Sequence, residues 1–132
     1  MSQYNKPVAD KPTSVQIGKA AESLASDYLQ QHGLKLISRN YRAPCGELDL
    51  IMQDHDHMVF VEVRFRRHTR YGSGADSVTA SKQDKLIKTA LYYLQQHPRQ
   101  AKQAVRFDVV SLSAVDGRSN IEWIKDAFQA EG

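Results

Sequence analysis

The sequence predicts an α/β domain, a mixed β-sheet flanked by helices in the order α-β-β-β-α-β-β. Three observations carry that expectation. Apolar residues recur at helical spacing in two separate stretches, period-two alternation marks two stretches joined by a very short link, and a further strand pattern follows the second helix. The short link implies an antiparallel hairpin, and a strand reached only through a helix makes the sheet mixed.

Residues 1 to 14 hold Pro7, Pro12, Ser and Thr without apolar periodicity and read as a flexible arm, leaving 15 to 132 as one domain. From Ile17 onward Ala20, Ala21, Leu24, Ala25, Tyr28 and Leu29 follow helical spacing until Gly33 stops the run. Leu34 to Tyr41 alternates in part and is rich in strand formers. Ala43-Pro-Cys-Gly46 is a turn by composition, and in Glu47 to Met52 the alternation puts Leu48, Leu50 and Met52 opposite Glu47, Asp49 and Ile51. Asp54-His-Asp-His57 is a polar connection to Met58–Phe65, the strongest strand in the chain. Arg66 to Ala80 suggests a mobile basic loop, and Ser81 is the expected N-cap of a helix carrying Leu86, Ile87, Ala90, Leu91 and Leu94. Val105 to Leu112 is another strand, Asp116-Gly117 a turn, Ile121 to Ile124 a short extended piece, and the last eight residues a tail.

Composition narrows the function classes. With 41% hydrophobic and 25% charged residues in 132, the chain suits one domain able to bury a core. The longest apolar run is five residues, Ala90 to Leu94, too short for a membrane span. The polar first fifteen residues do not resemble a secretory signal. A single cysteine, Cys45, builds neither an internal disulfide nor a Cys-rich zinc site, and together these features point to the cytoplasm. Net charge +3 permits a polyanionic partner without demanding one.

The informative residues are the polar ones inside strands. In Val59–Phe65, Val61, Val63 and Phe65 share one face, and Glu62 and Arg64 share the other with Phe60. If the hairpin register brings Glu47 and Asp49 onto that second face, three carboxylates and a guanidinium cluster on a rigid sheet. Crowded carboxylates repel unless a cation neutralises them, and Mg²⁺ takes a few carboxylates while keeping waters. Such an ion polarises a phosphodiester and activates water, and a cation beside it stabilises charge growing on phosphate. The same residues also suit the solvated face of an edge strand with weak cross-strand ion pairs.

Gly46-Glu-Leu-Asp-Leu-Ile51 followed by Val59-Phe-Val-Glu-Val-Arg64 resembles the PD-(D/E)xK nuclease signature. More closely, the chain after residue 15 resembles the YraN family (UPF0102) of small bacterial proteins, through Gly18-Lys-Ala-Ala-Glu22, Asn40-Tyr-Arg42, both strand motifs, Lys82, Lys85, Arg106-Phe-Asp-Val109 and Ala127-Phe128. The resemblance implies a restriction-endonuclease-like core similar to archaeal Holliday junction resolvases, a nucleic-acid substrate, DNA first among them, and the homodimers common in that class. On it, Asp49 and Glu62 are the carboxylates for Mg²⁺ or Mn²⁺, Glu22 is a further acid from the first helix, and Arg64 occupies the position where the signature usually has lysine. Arginine keeps the charge and binds phosphate bidentately, but it is a poor proton acceptor. Lys82 or Lys85 could supply an amine, though the sequence does not place either one.

The expected function is a metal-dependent endonuclease acting on DNA, branched or damaged DNA included. The alternatives are a nucleic-acid-binding module of the same fold without turnover, and a protein-interaction module using sheet edges or Trp123. Arg64, Arg66, Arg67 and Arg70 put four guanidiniums in seven residues, a phosphate-gripping element extended by Lys82, Lys85 and Lys88 on one helical face. His55 and His57 read as a polar turn rather than metal ligands, and Cys45 as a small turn residue. Asp108, mid-strand among apolar neighbours, is expected to pair with an arginine rather than join the acids.

Overall fold

A computed structural model describes residues 13–66, 78–115 and 118–130. Helix α1 (Ser14–Gln31) is followed by strands β1 (Lys35–Ala43), β2 (Gly46–Asp54) and β3 (His57–Arg66), helix α2 (Ala80–Gln96), a 3₁₀ turn at Gln100–Lys102, and strands β4 (Ala104–Val115) and β5 (Arg118–Phe128). The element order and the mixed sheet are those the sequence predicts. The strands lie in the order β1-β2-β3-β4-β5; only the β3–β4 pair is parallel, with α2 as its crossover.

The helices cover opposite faces of the sheet. Ala21, Ala25 and Leu29 of α1 pack with Leu50, Met52, Val59, Val61, Val110 and Leu112, while Leu86, Ala90, Tyr93 and Leu94 of α2 pack with Leu48, Ile51, Met58, Phe60, Phe107 and Val109. A sheet buried on both faces explains why β3 reads as a near-continuous apolar run. Gly33 ends α1 with φ +96°, and the Gly33 and Leu34 amides donate to the Gln30 and Leu29 carbonyls, satisfying the last turn.

Several sequence expectations are corrected. α1 begins at Ser14 with Thr13 as its N-cap, so these two residues belong to the helix and its cap, and the rest of the expected arm, residues 1–12, lies outside the described residues. The cap of α2 is Thr79, whose hydroxyl accepts from the Lys82 amide at 3.2 Å, and Ser81 lies inside the first turn. Val78, assigned to the basic loop, is a core residue, and residues 67–77 lie outside the described residues. In α2, Tyr93 and Thr89 are buried and Leu91 is exposed, which rotates the buried stripe away from the predicted one. The predicted tail is strand as far as Phe128. There a bulge opposite Phe107–Val109, with Asp126 at φ +53°, interrupts the alternation that the sequence reading depended on. The predicted turn at residues 116 and 117 lies outside the described residues.

A carboxylate cleft where two strands part

The largest departure from simple alternation builds the site. Leu50 belongs to the α1-side core and Leu48, two residues earlier, to the α2-side core. In β1 the same switch occurs: Arg39 hydrogen-bonds Ser23 of α1 at 2.9 Å, whereas Tyr41 packs edge-on against Tyr93 of α2. The intervening Asn40 and Asp49 lie across from one another, between the Arg39–Leu50 and Tyr41–Leu48 pairs, and Asn40 takes φ +53°. Both strands of the hairpin therefore exchange faces at one step, using the left-handed conformation that Asn tolerates better than most residues. This corrects the expected grouping of Leu48 with Leu50 and Met52.

The exchange also ends the β2–β3 ladder, which runs from Asp54–His57 to Leu50–Val61 and stops there. Past that point Asp49 Oδ2 accepts the Val63 amide at 2.8 Å, replacing the backbone acceptor lost as the strands part. Glu62 faces the same gap and is only 6% exposed. A cleft of about 300 Å³ opens here, lined by Gly46, Glu47, Asp49, Glu62, Arg64, Lys82, Lys85 and Thr89 among others. Its floor is held close to α2, because a Cβ on Gly46 would lie 2.8 Å from Thr89 Oγ1.

Asp49 and Glu62 are brought together as predicted. Burial, then the charge of Glu62 and a hydrogen bond to it, push the Asp49 carboxyl up to about 8 against the opposing pull of the Val63 amide. Near neutral pH the Asp49 carboxyl thus keeps its proton. Arg64 Nη1 lies 3.6 Å from Glu62 Oε2, and Lys82 Nζ reaches the same oxygen at 2.7 Å from the first turn of α2. The structure thereby supplies the amine absent from the strand motif, a placement set by how α2 crosses the sheet.

Glu22 approaches from the α1 side, close enough to raise the Asp49 carboxyl further. Among the described residues, Glu22 Oε1 is the one buried side-chain oxygen or nitrogen without a hydrogen-bond partner. Glu47, by contrast, is half exposed and pairs with Arg42 at 3.3 Å, so it does not complete a third close carboxylate. Among the described residues no three His, Cys, Asp or Glu side chains converge tightly enough to enclose an ion unaided. Two close carboxylates, with one orphaned acid oxygen behind them, still fit a cation that keeps most of its waters.

The remaining candidates separate clearly. Lys85 lines the cleft, Arg66 ends β3, and Arg67 and Arg70 lie outside the described residues. Asp108 does not join the acids. Fully buried, it takes two hydrogen bonds from Arg106, at 2.9 and 3.0 Å, one from Trp123 Nε1 and one from the Asp126 amide, and Arg106 also pairs with Asp54 at 3.1 Å. Trp123 stands edge-on to Tyr28 and His32, so it is part of the fold's packing. His57 bonds the adjacent Asp56 in the β2–β3 turn, as expected of a polar connection. Among the described residues no helix is long and apolar enough to cross a membrane.

An α/β fold with an acidic cleft, built where a hairpin parts and braced by a lysine from the crossover helix, defines the class. The comparisons give the family: the profile of the uncharacterised protein family UPF0102 matches residues 21–112, and the chain belongs to that family. It is 49% identical over 113 residues to a UPF0102 protein of Stutzerimonas stutzeri, covering 86% of this chain and 94% of that one. A Nitrosococcus oceani relative is 47% identical over 114 residues (86% and 92%), and a Pseudomonas aeruginosa relative 43% over 125 residues (93% and 100%).

Proposed function

We propose that this chain is a divalent-cation-dependent nuclease acting on the phosphodiester backbone of DNA, branched or damaged DNA included, in the reducing setting that its single cysteine suits. The observation that carries the reading is the buried Asp49–Glu62 pair, opening into a cleft flanked by Lys82, Lys85 and Arg64. Two acids so placed cannot both ionise without a neighbouring positive charge. The orphaned Glu22 oxygen adds a third acceptor with nothing to accept from.

Asp49 and Glu62 would hold Mg²⁺ or Mn²⁺, with Glu22 reaching it directly or through water. Once bound, the ion would polarise a phosphoryl oxygen and lower the pKa of an attacking water. A guanidinium is a poor proton acceptor, so the part of Arg64 is to bind a phosphate oxygen and stabilise developing charge. Lys82 and Lys85 line the cleft and would face phosphate there, and Arg66 at the end of β3 would extend that contact, with Arg67 and Arg70 following it in sequence.

Arg64 in the usual lysine position favours a second reading, a binding module without turnover. Lys82 bears on that choice, because it returns an amine to the acids from a different element. The test is cleavage of labelled linear, single-stranded, flapped and four-way-junction DNA with Mg²⁺ or Mn²⁺, comparing the wild type with Asp49→Ala and Glu62→Ala. Cleavage abolished in both variants supports the nuclease. Salt-sensitive DNA binding with no cleavage by the wild type refutes it in favour of the binding module.

A further inference from the structure

We propose that Lys82 is a built-in stand-in for the divalent cation: its ammonium holds Glu62 while the site lacks metal, and gives way to a phosphate contact when metal binds. The inference rests on the nuclease reading and adds how the same site is kept closed and then switched.

Glu62 needs a positive neighbour, because it is only 6% exposed in a gap it shares with another carboxyl. Its Oε2 atom receives Lys82 Nζ at 2.7 Å and Arg64 Nη1 at the longer 3.6 Å. A divalent ion seeking Glu62 must therefore compete with Lys82 for that oxygen, since two cations crowded on one atom repel.

The two ends of Lys82 differ in freedom. Its backbone amide is fixed by the Thr79 cap at 3.2 Å, so the first turn of α2 stays in place. Its side chain is 39% exposed, and a flexible four-carbon stem lets the ammonium swing without repacking the core. Released from Glu62, it remains within a cleft that Lys85 and Arg64 also line, where the remaining anion of the proposed reaction is the phosphate backbone. The same side chain thus opposes metal in the resting site and binds substrate in the loaded one.

The test measures Mn²⁺ affinity by calorimetry on the full chain, without nucleic acid, in the wild type, Lys82→Met and Glu62→Gln. Removing the competitor should tighten Mn²⁺ binding roughly 1.5- to five-fold in Lys82→Met, the range expected for a partly exposed pair, while Glu62→Gln weakens it. Binding of a short DNA duplex across a salt series supplies the second arm. With Ca²⁺ present to support binding, Lys82→Met should lose about one phosphate contact from the slope of log K against log salt; without divalent ions the slope should be unchanged.

Unchanged or weaker Mn²⁺ binding in Lys82→Met, with wild-type affinity intact, overturns the exchange and leaves the nuclease reading standing. Absence of Mn²⁺ binding in both proteins overturns the two together. Should Lys82→Met fail to fold, side-chain ammonium NMR of the wild type decides: the Lys82 resonance must move on Mn²⁺-free Mg²⁺ titration, and a resonance unmoved at saturation refutes the exchange.

Discussion

Replacing Asp49 with Asn separates what the site costs the fold from what it does. The Asp49 carboxyl takes about 8 in the native chain against a model-compound value of 3.8. Between those values the native state binds more protons than the unfolded one, so this group's contribution is fully present below about pH 4 and is lost as pH rises through 8. Each pKa unit corresponds to about 1.4 kcal/mol, which gives a ceiling near 4 kcal/mol at pH 7 and about 6 above pH 8. Asn reproduces the protonated acid: its oxygen accepts the Val63 amide and its NH₂ donates to Glu62. Asp49→Asn should therefore gain on the order of 2–4 kcal/mol of stability at pH 7 to 8 in metal-free urea denaturation, with no gain at pH 4. Mg²⁺ should stabilise the wild type in the same assay at pH 8, through the linkage of ligand binding to folding, and leave the Asn variant unmoved. An Asn variant equal to or less stable than wild type at pH 8 would refute the buried, protonated Asp49 beside Glu62 on which the functional reading stands.

Three further outcomes follow from particular contacts. Gly46→Ala should cost about 1–3 kcal/mol in thermal or urea unfolding and weaken Mn²⁺ binding in calorimetry, because its Cβ meets Thr89 Oγ1 at 2.8 Å and forces α2 off the cleft. Asn40→Val should be strongly destabilising while Asn40→Gly is nearly neutral, since φ +53° is hostile to a β-branched side chain; equal melting temperatures for the two would contradict the face exchange. Asp108→Ala should lose about 1–3 kcal/mol by leaving Trp123 Nε1 and the Asp126 amide without their acceptor and Arg106 with Asp54 alone, yet leave Mn²⁺ affinity in the folded protein intact, which calorimetry at low temperature checks.

The sheet and both helices were legible because their cores obey the periods that burial imposes. Val61 and Val63 oppose Phe60 and Glu62 as alternation requires, and Ala21, Ala25 and Leu29 repeat at one helical face. The Asp49–Glu62 meeting was legible only as a condition on register: the ladder ends at Leu50–Val61, and the same register carried one step further sets Asp49 opposite Glu62. Alternation through Glu47–Met52 would have turned Glu47 and Asp49 the same way; the exchange at Asn40 and Asp49 instead sends Glu47 to Arg42 and Asp49 to the Val63 amide. The sequence does carry a trace of this in Asn40, a residue suited to positive φ within a strand otherwise rich in Leu, Ile and Tyr. Lys82 had no comparable trace. Its reach to Glu62 depends on the crossing of α2 over the sheet and on a helix that starts at Ala80 after the Thr79 cap, two residues before the expected Ser81.

That start fixes more than a boundary. Thr79 bonds the Lys82 amide, Thr89 bonds the Lys85 carbonyl at 2.7 Å, and Gly46 lets β2 come against Thr89, so both cleft lysines are referenced to the strand that carries Asp49. From the other side of the sheet, Glu22 comes to Asp49 at the place where β2 and β3 have stopped pairing. An unpaired stretch of ladder inside a sheet leaves backbone groups without partners, and Asp49 repairs one of them with a carboxylate oxygen. Its other oxygen and the Glu62 carboxylate are then held in the gap by the fold itself, before any ligand arrives. The acids are kept crowded by the core on both faces, with a proton and the Lys82 ammonium as the positive charges that make the crowding tolerable. A divalent cation would carry both of those charges on one centre, which is the physical argument behind the metal site proposed for this gap.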